Sequence, residues 1–285
     1  MAKPNRSPRN SADLAPVRLP AAAIIAQDKG GEAKSLTALA LADRARISGV
    51  PIRVVQVDDQ GRLPKMLGPE VVKIRIDPRA ARKDPSLELR AFTPLYHSLE
   101  RAAAEKGLAI VEFGANMSDR GALWAGMVDL EEELEQMGMT PLVVTPFGTS
   151  PESMRLGARA ASEWLGKAPK APLVFIENER DGLIEDLHPM SDAAAAYRDT
   201  IMPLRSRATV LRMPLIEGSS WRIFEAAGVR LADVVSLPIA EIMKLTGLPK
   251  PEAKIARGDI AAWLSVVFAE FDSVIDFTRE ADNAD

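Results

Sequence analysis

The sequence holds no cysteine and only two histidines, His97 and His188, among 285 residues. Without a thiol there is no disulfide, no thiolate nucleophile and no Cys-ligated zinc. Two imidazoles also exclude a His-rich metal site. An excess of one charge is missing too: 36 Lys and Arg against 40 Asp and Glu leave a formal −4. So weak an acidic balance gives no global pull toward nucleic acid or an anionic membrane, and such binding needs a local basic patch. No apolar run approaches the ~20 residues of a membrane-crossing helix. The first twenty residues, MAKPNRSPRNSADLAPVRLP, lack the apolar centre of a signal peptide. They read as a disordered basic arm, and the expected location is cytoplasmic.

What is present is an alternation of short apolar runs and helical patterns. Strands are expected at 21–26 (AAAIIA), 52–57 (IRVVQV), 108–113 (LAIVEF), 141–147, 172–177 and 209–214, and residues 71–76 (VVKIRI) alternate as an edge strand does. Helical spacing runs over 34–47, within 86–106 where Pro94 marks a break or an N-terminus, near 119–137, after TSPES with Pro151 in the first turn, near 219–227 and 239–246, and over 257–271. Strands alternating with helices predict an α/β fold, a mainly parallel sheet with helices on both faces. Neither an internal repeat nor an interdomain linker is evident. The expected division is an arm at 1–20, one α/β domain at 21–272 and an acidic tail at 273–285.

In such a sheet, ligands gather beyond the carboxyl ends of the strands. The turn after the first strand reads QDKGGEAKSL, residues 27–36. Gly30 and Gly31 allow backbone amides and a helix N-terminus to converge on an anion. Lys34 is then placed to reach phosphates, and Ser35 to contact Mg²⁺. A ligand-free Gly-Gly turn is the alternative, and the Lys-Ser pair at the helix start weighs against it.

The spacing K-G-G-x-x-K-S at 29–35 resembles the deviant Walker A loop, K-G-G-x-G-K-[ST], of the ParA/MinD family of P-loop ATPases. The resemblance implies ATP and Mg²⁺ as cofactors and an ATP-dependent homodimer. It places on Lys29 the lysine that crosses to the partner's nucleotide. The phosphate contacts fall on Gly30, Gly31, Ala33, Lys34, Ser35 and Leu36, and the Mg²⁺ hydroxyl on Ser35. QVDDQG at 56–61 resembles the family's acidic strand end, with the acid that positions the attacking water on Asp58, 24 residues beyond Lys34. LAIVEFGAN resembles the Walker B strand and puts the water-mediated Mg²⁺ acid on Glu112. VVTPFGTSPESM, VFIENERDG and LRMPLIEGSSWRIFEAAG follow in family order, and the second of these places the adenine-facing Asn on Asn178. The similarity spans residues 21–230, and the E-F-G-A text also resembles ParA-like proteins of conjugative or mobilisable plasmids. By the same resemblance a protein activator or adaptor is expected. Non-specific DNA is expected at the late basic residues Arg198, Arg205, Arg207, Arg212, Arg222 and Arg230, against the alternative of scattered arginines balanced by nearby acids. The C-terminal amphipathic segment is acidic, so no membrane partner is expected.

Three residues depart from the family pattern, and Asp28 and Glu32 fill positions that the family varies. Ala33 stands where glycine is usual, and an alanine forced to φ > 0 costs roughly 1–2 kcal/mol. Glu32 brings a carboxylate to a site meant for anions, at a position the family varies, with solvent as the outlet for its side chain. Gln56 replaces the first acid of the strand-end pair. Glu112 is one methylene longer than aspartate. These changes bear more on turnover than on binding. Blander readings stay open: Asp58 and Asp59 as turn caps, Asn178 as a turn residue, DLEEELEQ (129–136) as a solvated helix face, His188 as an ordinary loop residue, and Trp124, Trp164, Trp221 and Trp263 as core or interface. The leading expectation is a slow ATPase switch in plasmid or chromosome partition or conjugative DNA transfer. A pseudo-ATPase adaptor and an ATP-dependent ligase of the same superfamily are the alternatives.

Overall fold

A computed structural model describes residues 15–58, 61–76, 79 and 83–278. The strands are β1 (Val17–Arg18), β2 (Ala21–Ile25), β3 (Ile52–Val57), β4 (Val72–Ile74), β5 (Leu108–Phe113), β6 (Thr140–Phe147), β7 (Leu173–Asn178), β8 (Ala208–Met213) and β9 (Ile275–Asp276). Seven of them form one sheet in the order β4-β3-β5-β2-β6-β7-β8, and every pairing in it is parallel. The edge position expected for 71–76 holds, although the strand is cut to three residues.

Alternation along the strands divides the core into two layers. Ala21, Ala23 and Ile25 face one side with Leu108, Ile110, Leu142, Val144, Val174 and Ile176. Ala22, Ile24 and Ala26 face the other with Val111, Phe113, Val143, Phe147 and Phe175. The first layer is covered by α1 (Lys34–Ile47), α2 (Arg62–Leu67) and helices from the end of the chain. The second is covered by α4 (Thr93–Ala104), which follows the short α3 (Pro85–Arg90), and by α5 (Ser118–Met127), α6 (Leu130–Gln136) and α7 (Pro151–Leu165). On that side α8 (Asp192–Ala196) runs through a π-turn at Tyr197–Ile201 into α9 (Met202–Arg205). The last four helices are α10 (Ser220–Ala227), α11 (Leu231–Ser236), α12 (Ile239–Thr246) and α13 (Lys250–Asp272). Helix α1 has no polar stripe: Thr37 through Asp43 are all buried. It lies between the sheet and α13, so it needs apolar or small residues all round, and its alanines allow the close approach.

Pro94 acts as the sequence predicts: the pattern over 86–106 breaks into α3 and α4, and Pro94 lies in the first turn of α4. Other patterns differ from expectation in their boundaries. The one over 119–137 breaks at Asp129, whose φ is 46°. Helix α13 begins seven residues before the expected 257, with Pro251 in its first turn, where the missing N–H leaves no bond unmade. Val17–Arg18, placed by the sequence in the arm, pair in parallel with Ile275–Asp276, placed in the tail. Val17 and Ile275 are buried, so burying both apolar side chains moves the two boundaries outward. Residues 1–14 and 279–285, the rest of the arm and tail, lie outside the described residues, as do Asp59 and Gln60.

Candidate functional site

The chain crosses from β2 to β3, and β5 later enters between them while β6 pairs on the other side of β2. The strand order therefore reverses at β2, and the loop leaving β2 stands at the switch point where open α/β sheets bind ligands. Gln27, fully buried, holds this loop down. Its amide donates to the carbonyls of Pro146 at 2.9 Å and Ser153 at 3.1 Å, and its oxygen accepts from the Lys29 N–H at 3.1 Å.

The loop then turns through two left-handed residues, Gly31 at φ 80° and Ala33 at φ 60°. The position that carries alanine in place of glycine therefore adopts the conformation that penalises a Cβ. The strain is present in the chain by itself. Around Gly30 an added Cβ would meet nothing within 4 Å, and at Gly31 only Arg180 Nη1 at 3.7 Å. The loop's outer face is open.

Lys34 is 7% exposed and donates from Nζ to the carbonyl of Lys29 at 2.8 Å. Burial pulls its pKa below the ordinary 10.5, and Glu112, Asp28, Asp58 and Glu32 oppose that shift. One residue on, the Ser35 hydroxyl donates to Glu112 Oε1 at 2.5 Å. Glu112, the penultimate residue of β5, lies directly beside Gln56 of β3, whose amide donates to Glu112 Oε2 at 2.8 Å. Burial raises the Glu112 pKa, and the Ser35 and Gln56 hydrogen bonds and Lys34 hold it down in part. The two departures at 56 and 112 are thus one arrangement. An acid at 56 would face the carboxylate, whereas an amide donates to it, and the longer glutamate reaches Ser35. Asp58 lies across Gly114, where an added Cβ would fall 2.6 Å from Asp58 Cγ, so glycine there is required.

One sequence-derived position behaves otherwise than expected. Glu32 does not find solvent: its side chain is 3% exposed, 3.3 Å from Lys29 Nζ, and its Oε2 has no hydrogen-bond partner. Asn178 is buried at the end of β7, and its side chain accepts from the Arg180 N–H at 3.3 Å, which caps a short 3₁₀ turn. The side chain of Leu36 packs against the core, which leaves its backbone for the loop.

Sequence reasoning missed Arg180, which donates to the Gly31 carbonyl at 2.6 Å and so spans from β7 to the loop. It also missed Ser150, which accepts from Lys29 Nζ at 2.6 Å. No spacing rule links residues about 120 or 150 positions apart. Asp28, 3% exposed, leaves both oxygens without a hydrogen bond and meets Arg159 only at 3.6 Å.

The remaining candidates differ in how far the fold engages them. Among the late arginines, Arg205 pairs with Glu177 at 3.5 Å and Arg212 with Glu179 at 2.9 Å. Arg230 pairs with the buried Asp43, which also accepts from the Ala232 N–H at the start of α11. These three are bound internally and do not form a free phosphate-binding row. Trp124, Trp164 and Trp263 are core residues, and the His188 ring accepts from the Met190 N–H.

The donor set suits magnesium in one respect. Mg²⁺ prefers hard oxygens and typically takes one or two protein groups together with phosphate oxygens. Ser35 Oγ and the Glu112 carboxylate, with Asp58 close by, supply such a partial shell. No cluster of three or more His, Cys, Asp or Glu that could hold a metal alone exists among the described residues.

No family model matches the chain, and no curated protein does. Among solved structures it is similar to apo McdA of Cyanothece, at 14% identity over 86% of this chain and 99% of that one, with TM-score 0.47. It is similar to the MinD cell division protein of Aquifex aeolicus at 14% identity over 86% and 96%, with TM-score 0.44. An ATP complex of a Cyanothece McdA variant is similar at 12% identity over 88% and 98%, with TM-score 0.43. Values this low assign no residue and no activity to the chain, and the functional reading rests on the loop itself.

Proposed function

We propose that the chain is a nucleotide switch of the ParA/MinD type that binds ATP with Mg²⁺ at residues 29–36. The observation that carries the reading is the meeting of a buried Lys34, a left-handed loop and the Ser35–Glu112 pair at the sheet's switch point. The Lys34 ammonium and the loop amides bind phosphate oxygens. Ser35 and Glu112 would hold a magnesium ion, whose charge would offset that of the phosphates. Asp58 is the residue we assign to orienting the attacking water. Lys29, a quarter exposed at the loop's rim, is the residue offered to a second copy. Slow hydrolysis then releases the pair, and partition or conjugative transfer of DNA is the setting the motifs favour.

An adaptor without turnover is the second reading. It is favoured by Glu112, both of whose oxygens are already engaged, and by the buried carboxylate of Glu32.

Light scattering separates the two. The switch reading expects the wild type to double in mass with ATP and Mg²⁺ and Lys29→Ala to stay monomeric while retaining nucleotide. A mass that ATP does not change, or a dimer that Lys29→Ala leaves intact, contradicts it.

A further inference from the structure

Lys29 is not a free rim residue. Its ammonium donates to Ser150 Oγ at 2.6 Å, lies 3.3 Å from Glu32 Oε1 and stands 3.8 Å from Glu152 Oε2. The three partners come from two segments, the loop itself and the start of α7. Ser150 has a second task there, since its oxygen accepts the Ser153 N–H as the helix N-cap. Its place is therefore fixed by the helix and does not follow Lys29.

Glu32 is the least expected member. A carboxylate with 3% exposure lies inside an anion-binding loop, and one of its oxygens has no hydrogen bond. Gly148 makes room for it, because a Cβ there would stand 3.1 Å from Glu32 Oε2. Arg180, anchored on the Gly31 carbonyl, adds positive charge on the same side. A buried carboxylate is tolerated when cations surround it, and here Lys29 is the cation in contact.

We propose that Glu32, Ser150 and Glu152 form an intrachain latch that holds the Lys29 ammonium against its own subunit and must open before Lys29 reaches a second copy. The purpose of the latch rests on the switch reading, but its geometry does not. A bound triphosphate supplies competing negative charge beside Glu32, and repulsion between the two anions loosens the Glu32–Lys29 contact. The carboxylate at position 32 then acts as a brake on self-association.

The test has an arm without nucleotide. The full-length protein is pulsed with acetic anhydride, and acylation of Lys29 is read by mass spectrometry against the exposed Lys254. Glu32→Gln keeps the shape and removes the charge, so Lys29 should acylate roughly threefold faster, the effect of losing a ~0.7 kcal/mol ion pair. Ser150→Asp keeps the N-cap, since aspartate caps as well as serine, and adds an anion beside Lys29, so acylation should slow. Equal rates in all three proteins overturn the latch.

In the second arm, light scattering with ATP and Mg²⁺ should show Glu32→Gln associating at lower protein concentration than wild type and Ser150→Asp at higher. Association unchanged or weakened in Glu32→Gln overturns the brake. Acylation changes as expected, with no ATP-dependent association in any protein, uphold the latch and overturn the switch reading.

Discussion

In β2 the chain runs from Ala21 to Ile25 with at most 3% exposure and no polar side chain, and two residues further on Gln27 and Asp28 are just as buried. The same change occurs on the neighbouring strands. Val54 and Val55 precede Gln56, Ile110 and Val111 precede Glu112, and Ile176 and the half-buried Glu177 precede Asn178. The strand bodies fill two apolar layers, whereas their carboxyl ends hold much of the buried polar inventory. Several of those polar atoms lack a hydrogen-bond partner: both Asp28 oxygens, Glu32 Oε2 and Gln56 Oε1. A buried unsatisfied group costs about 1–3 kcal/mol. The bodies therefore stabilise the fold and the ends destabilise it, a pattern expected where backbone and charge are arranged for a ligand.

Neutralising Asp28 sharpens that contrast most. Burial is the largest influence on its pKa, followed by repulsion from Asp119, and together they raise it above 3.8 against the pull of Arg159 and the Ser118 amide. A carboxyl raised in the fold contributes stability only below its unfolded value, and that stability is lost as pH rises through the folded pKa. Asp28→Asn removes this loss. The variant should match wild type near pH 3.8 and exceed it by about 1–3 kcal/mol at pH 7, with the gap opening as pH climbs. Urea unfolding at a series of pH values measures it. A variant less stable than wild type at neutral pH would mean that Arg159 and the α5 amides bind the charge better than the geometry shows.

Ala33→Gly has a smaller effect, and a different one from that expected of a loop strained only on binding. We expect the loop to keep its left-handed backbone at Ala33 when nucleotide binds, so that the strain is common to the free and bound states and cancels in the affinity. Relief of roughly 1–2 kcal/mol is offset by about 0.4–1 kcal/mol from the freer unfolded chain. Stability should rise by up to about 1 kcal/mol, and ATP affinity should change by less than about twofold. Thermal unfolding and calorimetric titration of the same sample give both. An affinity gain approaching tenfold would show that the loop changes conformation when it binds.

The strand bodies were legible because period two and apolar runs are local signals, and all seven sheet strands fell near their expected places. The ends were legible only where a motif covers consecutive residues. Lys34, Ser35 and the left-handed Ala33 could be read from KGGEAKS. The Gln56–Glu112 contact could not, because register across two strands decides it. The buried position of Glu32, the Arg180 bridge and the internal pairing of Arg205, Arg212 and Arg230 depend on segments distant in sequence. The short helices α2, α8, α9 and α11 escaped notice because four to six residues carry too little periodicity.

The central claim is that the carboxyl-end cluster is a phosphate site with Lys34 at its heart, and calorimetric titration of ATP in the presence of Mg²⁺ tests it most directly. A charge-assisted contact between Lys34 and phosphate oxygens is worth roughly 1.5–3 kcal/mol. Wild type should therefore bind, and Lys34→Ala should bind at least about tenfold more weakly, with circular dichroism confirming that the variant is folded. Equal binding by the two proteins, or no binding by either, would contradict the account.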